Sequence, residues 1–371
     1  ILSLCYPLGL RLGAFASALL LLGPSLFLLG CVSPFLVKLA TRELDKIGRT
    51  VGGFYALSTI GSVLGTVIAG FVLIAYLGVG QIFGLVGTLL VALAVVYFLV
   101  FRRKWLAVVA IVVPVLFFPR GYTPGTSRLL KSGTRATSVV TQDSYYGSLK
   151  VIDYTFNQVH TRELVIDGLI QGAIDMVTGE SIYPYSYFLE RIPRALNPGG
   201  TSCLVIGLGA GLVPRGYEKQ GVRTQVVDID PDVAEFAKTY FGFELSSDVI
   251  IEDARYFLGQ INDEYDYLIL DVFNGDTTPG YLLSQEAVAL LAERLTDQGV
   301  LAINLVGSLK RDTFMTASVI KTLHTAFDQV EIYPTFSVEE SDGWGNLEVM
   351  AYTGPPRSFK RAELTATPMH W

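Results

Sequence analysis

Three runs of this sequence carry no charged residue and are each long enough to cross a bilayer: Leu12 to Val37, Val51 to Tyr76 and Gln81 to Phe101. A span needs about twenty apolar residues, and hydrocarbon satisfies no backbone polar group, so such runs must be helical. A fourth run, Trp105 to Phe118, is shorter and contains Pro114; it reads as a re-entrant or interfacial segment or as one more crossing. No hydrophilic segment precedes the first run and no small-residue cleavage site follows it, so we expect a membrane span there and not a signal peptide. The start at Ile1, already in apolar sequence, leads us to expect further spans upstream. Gly61-Ser-Val-Leu-Gly65 in the second run is a helix-packing pattern. Because no ionisable residue interrupts the spans, they read as an anchor or scaffold and not as a transport path.

The apolar excess is local. Over the 371 residues the hydrophobic content is 51% and the mean hydropathy +0.45, yet beyond residue 118 the composition is that of an ordinary globular domain. The expected organisation is a helical transmembrane region over 1–118, a Pro, Gly, Ser and Thr-rich linker over 119–140, a small antiparallel β domain over 141–180, an α/β domain over 181–356, and a tail over 357–371. Basic clusters at Lys38 to Arg49, Arg102 to Lys104 and Arg120 to Arg135 would all be cytoplasmic by the positive-inside rule. They cannot all be so if the fourth run crosses. We place the α/β domain on the cytoplasmic face of a bacterial inner membrane on functional grounds, since charge alone does not decide.

A net charge of −6 argues against nucleic acid as a partner, since phosphate contacts need a basic stripe. Cys5 and Cys31 lie in apolar runs and Cys203 opens a buried strand, while His160, His324 and His370 are scattered without ligand spacing. No metal is expected.

Beyond residue 140 the chain is organised around Cys203-Leu-Val-Ile-Gly-Leu-Gly-Ala-Gly211. A β-branched run ending in Gly207, Gly209 and Gly211 reads as a strand turning tightly into a helix, where missing Cβ atoms let a ligand approach the backbone. About twenty residues later a second strand ends in Asp228, the spacing at which an acid meets ribose hydroxyls. A dinucleotide fingerprint places its third glycine one position later, where Leu212 stands; the pattern G-x-G-x-G suits S-adenosylmethionine-type ligands, which bring no phosphate.

Strands expected near 203–207, 223–228, 248–251, 265–271, 299–305, 328–333 and 347–353 alternate with helices near 211–220, 231–241, 283–295 and 310–326. An earlier helix spans about 181–195. This order specifies an open, seven-stranded, mainly parallel Rossmann-like sheet covered on both faces. Alternation in Gly147 to Asp153 and Arg162 to Asp167 reads as an antiparallel β unit ahead of it. Two further strand ends carry acids, Glu252-Asp253 and Asp271. One such acid is often a helix cap; three at successive strand ends, beside a glycine turn, point to a site.

Residues from about 140 to 355 resemble the spermidine/spermine synthase (polyamine aminopropyltransferase) family, in its membrane-anchored bacterial form. The resemblance is carried by Leu164 to Gln171, Tyr183-Pro-Tyr-Ser186, Gly207 to Gly211, Val227-Asp-Ile-Asp230, Glu252-Asp-Ala254 and Leu270-Asp-Val-Phe-Asn274. It implies a class I methyltransferase fold preceded by a small β domain. It also implies transfer of an aminopropyl-type group from an adenosyl sulfonium to a small-molecule amine, with release of methylthioadenosine. By position, Gly207, Gly209, Ala210, Gly211, Asp228, Ile229, Asp253, Ala254 and Gln171 would hold the donor. Tyr146, Tyr185, Ser186 and Asn274 would line the acceptor side, with Trp344 a lid in the loop 339–345. Asp271 would take a proton from the attacking amine, since an ammonium is no nucleophile. A homodimer is expected by analogy alone.

Three positions depart from the family pattern. Ala210 stands where an acid holds the donor's terminal amine, Ser186 where a His or Gln is usual, and Asn274 where a second acid binds the acceptor amine. The co-substrate is therefore either decarboxylated S-adenosylmethionine or S-adenosylmethionine itself. The alternatives are a methyltransferase, lyase or cyclase on the same scaffold, and a nucleoside-sensing membrane scaffold without catalysis.

Overall fold

The computed structural model describes residues 5, 8–40, 47–101, 125–244, 249–273, 278–310, 313–338 and 343–359. The run at 105–118, residues 339–342 and Asn274 lie outside them. By compactness the chain divides into Ile1–Ile82 and Phe83–Trp371, and the parts are described separately.

Helix α1 spans Gly9–Ala40 and contains Pro24 and Pro34. Helix α2 spans Ile47–Tyr76 and widens into a π-turn at Ala69–Leu73. Helix α3 spans Val79–Phe101. All three are long and apolar enough to cross a membrane, and large apolar side chains such as Phe15, Phe27, Phe71 and Phe83 point outward, the arrangement lipid favours.

Two sheets follow. The first is antiparallel throughout, in the order β1 (Ser127–Leu129), β2 (Arg135–Asp143), β3 (Ser148–Phe156), β4 (Val159–Ile166) and β5 (Leu169–Asp175). The expected linker thus holds β1 and Arg135 to Val140 of β2. Its Ser, Thr and Gly content hid them, because β1 is exposed along its whole length and shows no apolar alternation.

The second sheet has seven strands: β6 (Ser202–Ile206), β7 (Arg223–Asp228), β8 (Ile250–Ile251), β9 (Tyr265–Leu270), β10 (Leu295–Ser308), β11 (Gln329–Pro334) and β12 (Trp344–Tyr352). Their spatial order is β11-β12-β10-β9-β6-β7-β8. The pairings from β8 to β10 are parallel, and β12 runs antiparallel between β10 and β11. The helices are α4 (Pro184–Leu196), α5 (Leu212–Lys219), α6 (Pro231–Phe241), α7 (Ala254–Gln260), α8 (Gln285–Glu293) and α9 (Phe314–Leu323).

Alternate residues of the central strands feed two separate apolar cores. Cys203, Val205, Tyr267 and Ile269 face one, while Leu204, Ile206, Leu268 and Leu270 face the other. This double burial is why β6 and β9 read as unbroken apolar runs. The start of the expected tail is tied down: the Arg357 guanidinium lies 4.5 Å over the Tyr352 ring and donates to the Gln298 carbonyl at 2.9 Å.

Candidate active site

Ligands of open parallel sheets sit beyond the carboxyl ends of the strands, and there the acids and glycines gather. At the end of β6, Gly207 adopts φ +92°, and a Cβ on it would come within 2.1 Å of the Asp271 carbonyl oxygen. The bare Cα lets the loop after β6 pass against the end of β9. The next amide, Leu208 N–H, donates to Asp228 Oδ2 at 2.7 Å, and Asp230 N–H donates to Asp228 Oδ1 at 2.9 Å. Burial pushes the Asp228 carboxyl up to about 6, against the downward pull of these amide bonds. Ile229 beside it is exposed.

Asp230 caps α6 by accepting from Asp232 N–H at 3.0 Å and also accepts from Ser144 Oγ at 2.6 Å. Gln142 Nε2 donates to Asp232 Oδ1 at 2.9 Å. The β2–β3 hairpin is thereby pinned to the segment that follows Asp228 at the end of β7. Tyr146 follows on this turn, its phenol raised by burial and then by Asp230, Asp253 and Asp228 among its neighbours. Its neighbours are thus the acids at the ends of β7 and β8, and it is not among the residues lining the cleft beside Asp271.

At the end of β8, Asp253 caps α7, its Oδ1 accepting from Tyr256 N–H at 2.9 Å and its Oδ2 from the Tyr281 hydroxyl at 3.1 Å. Ala254 opens α7 and is buried. Asp271 follows the end of β9 with one oxygen accepting from Asn304 Nδ2 at 2.9 Å, while Asn346 Nδ2 donates to Asn304 Oδ1 at 2.8 Å. Protein packs around the carboxylate closely enough that burial raises it to about 6, the Asn304 bond pulling down. Glu348 is fully buried in register with Asn304, and neither of its carboxylate oxygens has a hydrogen-bond partner among the described residues. Burial first, and the Asp271 charge second, raise it well above the usual carboxylate range.

Beside Asp271 a cleft of about 250 Å³ opens between β5, the start of α4 and the ends of β10 and β12, lined by Gln171, Tyr183, Tyr185, Phe273, Asn304 and Asn346 among others. The Tyr185 hydroxyl donates to the Gln171 carbonyl at 3.0 Å, and its phenol is raised by burial and then by Asp271 and Glu348. Ala210 is 3% exposed and lies so close to β5 that a Cβ on Gly172 would come within 2.9 Å of its own. Gly209 is next to the Gln171 carbonyl, and Gly211 begins α5 in the left-handed region.

Two further expectations are corrected. Ser186 donates to the Tyr183 carbonyl at 3.0 Å and lines a different cavity, with Glu190, Arg191 and Arg215. One residue along a helix is a turn of about 100°, which carries Ser186 away from the cleft that Tyr185 faces. Trp344 is not in a loop; it is the first residue of β12, paired with Ser308. Asn304, Asn346, Glu348, Ser144 and Tyr281 had not been singled out. The visible signal for two of them is a polar residue breaking an apolar strand, Asn304 in Val300 to Val306 and Glu348 in Leu347 to Tyr352.

Residues 183–341 match the family model of the spermine/spermidine synthase domain. This part of the chain belongs to that family. The synthase domain also has named relatives. Over 147 residues the chain is 37% identical to an N-terminal histidine N-methyltransferase of Emericella nidulans, a match covering 38% of this chain and 26% of that protein. Over 121 residues it is 33% identical to a polyamine aminopropyltransferase of Vibrio vulnificus, covering 31% of this chain and 40% of that one. The chain thus spans well under half the length of these two relatives. The crystal structure of a probable spermidine synthase from Corynebacterium glutamicum superposes on 57% of this chain and 79% of its own, with a TM-score of 0.52 at 18% identity. That likeness speaks for the fold of the synthase domain.

Proposed function

We propose that this chain is a membrane-anchored transferase of the aminopropyltransferase type, moving an alkyl group from an adenosyl sulfonium to an amine. The observation that carries this reading is Asp271. It is an acid held near 6 at the end of the central strand, against the glycine loop on one side and near the cleft residue Tyr185 on the other. A carboxylate of that strength is ionised at pH 7 and basic enough to take a proton from a bound ammonium. The freed lone pair then attacks the carbon bound to the sulfonium. A C–N bond forms, the C–S bond electrons return to sulfur to give a neutral thioether, and the proton on Asp271 leaves to solvent.

A nucleoside fits the other half of the site. Asp228 keeps lone pairs for ribose hydroxyls beside the backbone amides it accepts, and the glycine loop 207–211 runs next to it at the end of β6. In this assignment Asp253 faces the adenine, with Gln171 and Tyr185 between donor and acceptor. Because the Asp228 anion is the form that accepts the ribose, nucleoside affinity is expected to fall as the pH drops through about 6. Titration calorimetry with methylthioadenosine should show binding about tenfold weaker at pH 5 than at pH 7.

Ala210 favours a second reading. With no carboxylate at that place, the terminal carboxylate of S-adenosylmethionine meets no repulsion, and methyl transfer to an amine becomes accessible to the same base. The similarity to a protein named as an N-methyltransferase points the same way. The deciding experiment titrates the purified full chain with S-adenosylmethionine and with its decarboxylated form, then analyses the products by mass spectrometry with amines supplied. Methylthioadenosine is expected. Adenosylhomocysteine would establish the second reading, and binding of neither donor would defeat both.

A further inference from the structure

The turn that follows the end of β9 carries a residue that no family motif assigns. Tyr281, in the short 3₁₀ turn Gly280–Leu282, is strapped to the first turn of α7 in two ways. Its hydroxyl donates to Asp253 Oδ2 at 3.1 Å, and its carbonyl accepts from Arg255 Nη1 at 3.2 Å. The next residue, Leu282, is 2% exposed and anchors the turn in the core. Tyr281 is itself half exposed, so the bond to Asp253 is not a by-product of burying the ring.

We propose that Tyr281 is a positioning residue for the base of the donor: its hydroxyl fixes the Asp253 carboxylate in the orientation that accepts the exocyclic amino group of a 6-aminopurine. The inference rests on the nucleoside reading of the site. A carboxylate offers about four acceptor positions. The α7 cap takes one on Oδ1 and Tyr281 takes one on Oδ2. With one bond on each oxygen, the plane of the group is set before the ligand arrives, and the free lone pair on Oδ2 has a fixed direction. Without Tyr281 the Oδ2 side is held by water alone, and the base must order it on binding. Tyr146, brought up from the β2–β3 turn, senses Asp253 and is sensed by Tyr281, so two phenols from separate elements border the same acid.

Tyr281→Phe deletes one oxygen and keeps the ring, the Arg255 bond and the Leu282 anchor. The full chain, purified in detergent, would be titrated calorimetrically with methylthioadenosine and with its 6-deamino analogue, which offers no amino group. The expected result is an affinity for methylthioadenosine about tenfold lower than in the parent, the size of a hydrogen bond to a charged group, with the analogue unchanged. Equal weakening of both probes, or of neither, would overturn the proposal while leaving the nucleoside site in place. A parent protein that binds neither probe would overturn the nucleoside reading and this inference with it.

Discussion

Replacing Asp271 with asparagine is expected to lower turnover by about 10²–10⁴-fold, the usual contribution of a positioned base, while making the fold more stable. The activity loss follows from chemistry, since an amide cannot take a proton from an ammonium. The stability gain follows from linkage. The folded carboxyl sits near 6 instead of its ordinary 3.8 because it is buried, so between about pH 4 and pH 6 the folded chain binds more protons than the unfolded chain. Stability therefore falls as the pH rises through that window. At pH 7 the cost is complete, about 3 kcal/mol for a shift of roughly two units. Asparagine carries no charge and can still present an oxygen to Asn304 Nδ2. Asp271→Asn should melt higher than the parent at pH 7 and level with it near pH 4, and its steady-state rate should be close to background. An active variant would remove Asp271 from the chemistry. An inactive variant with no gain in stability at pH 7 would show that the carboxyl is not held at a cost.

Gly207→Ala is expected to be more damaging still, because it fails sterically and conformationally at once. The added carbon would lie 2.1 Å from the Asp271 carbonyl oxygen, which is main chain and cannot rotate away. The φ of +92° is also one that an L-residue rarely adopts. Relief requires β6 and β9 to separate at the point where they hold the site, and the expected loss exceeds about 4 kcal/mol. Gly209→Ala should be milder. There the nearest contact for a Cβ is the Gln171 carbonyl at 3.3 Å, and φ is +52°. Thermal melts and methylthioadenosine titrations of the two variants should rank Gly207→Ala far below Gly209→Ala. A Gly207→Ala protein that binds like the parent would show that the close approach to Asp271 is not needed.

Much of this architecture was legible because burial on both faces makes a strand read as a plain apolar run. The seven strands lie close to their expected places, and β7 and α6 occupy the residues read for them. The misses share a cause. β1 is an exposed edge with nothing to bury, and α7 is seven residues long, too short for a helical period to emerge. Its cap, Asp253, had been read for its ligand, and an acid can serve both ends. β10 begins at Leu295 because a register shift between Leu295 and Val300 extends the pairing past the bulge, which no alternation announces. Side-chain direction was the weakest inference. Tyr185 and Ser186 are neighbours in sequence, and only one of them faces the cleft.

The place of β12 bears on how such a chain can be made. β12 follows β11 in sequence and lies between β10 and β11, so on a ribosome the sheet stays gapped until β12 has emerged. Until then β10 presents an unpaired edge, and β11 has no neighbour to join. Strand edges of this kind invite pairing with other chains. For a nascent chain whose preceding helices are suited to a bilayer, synthesis delivers the closing strand only after both of its neighbours.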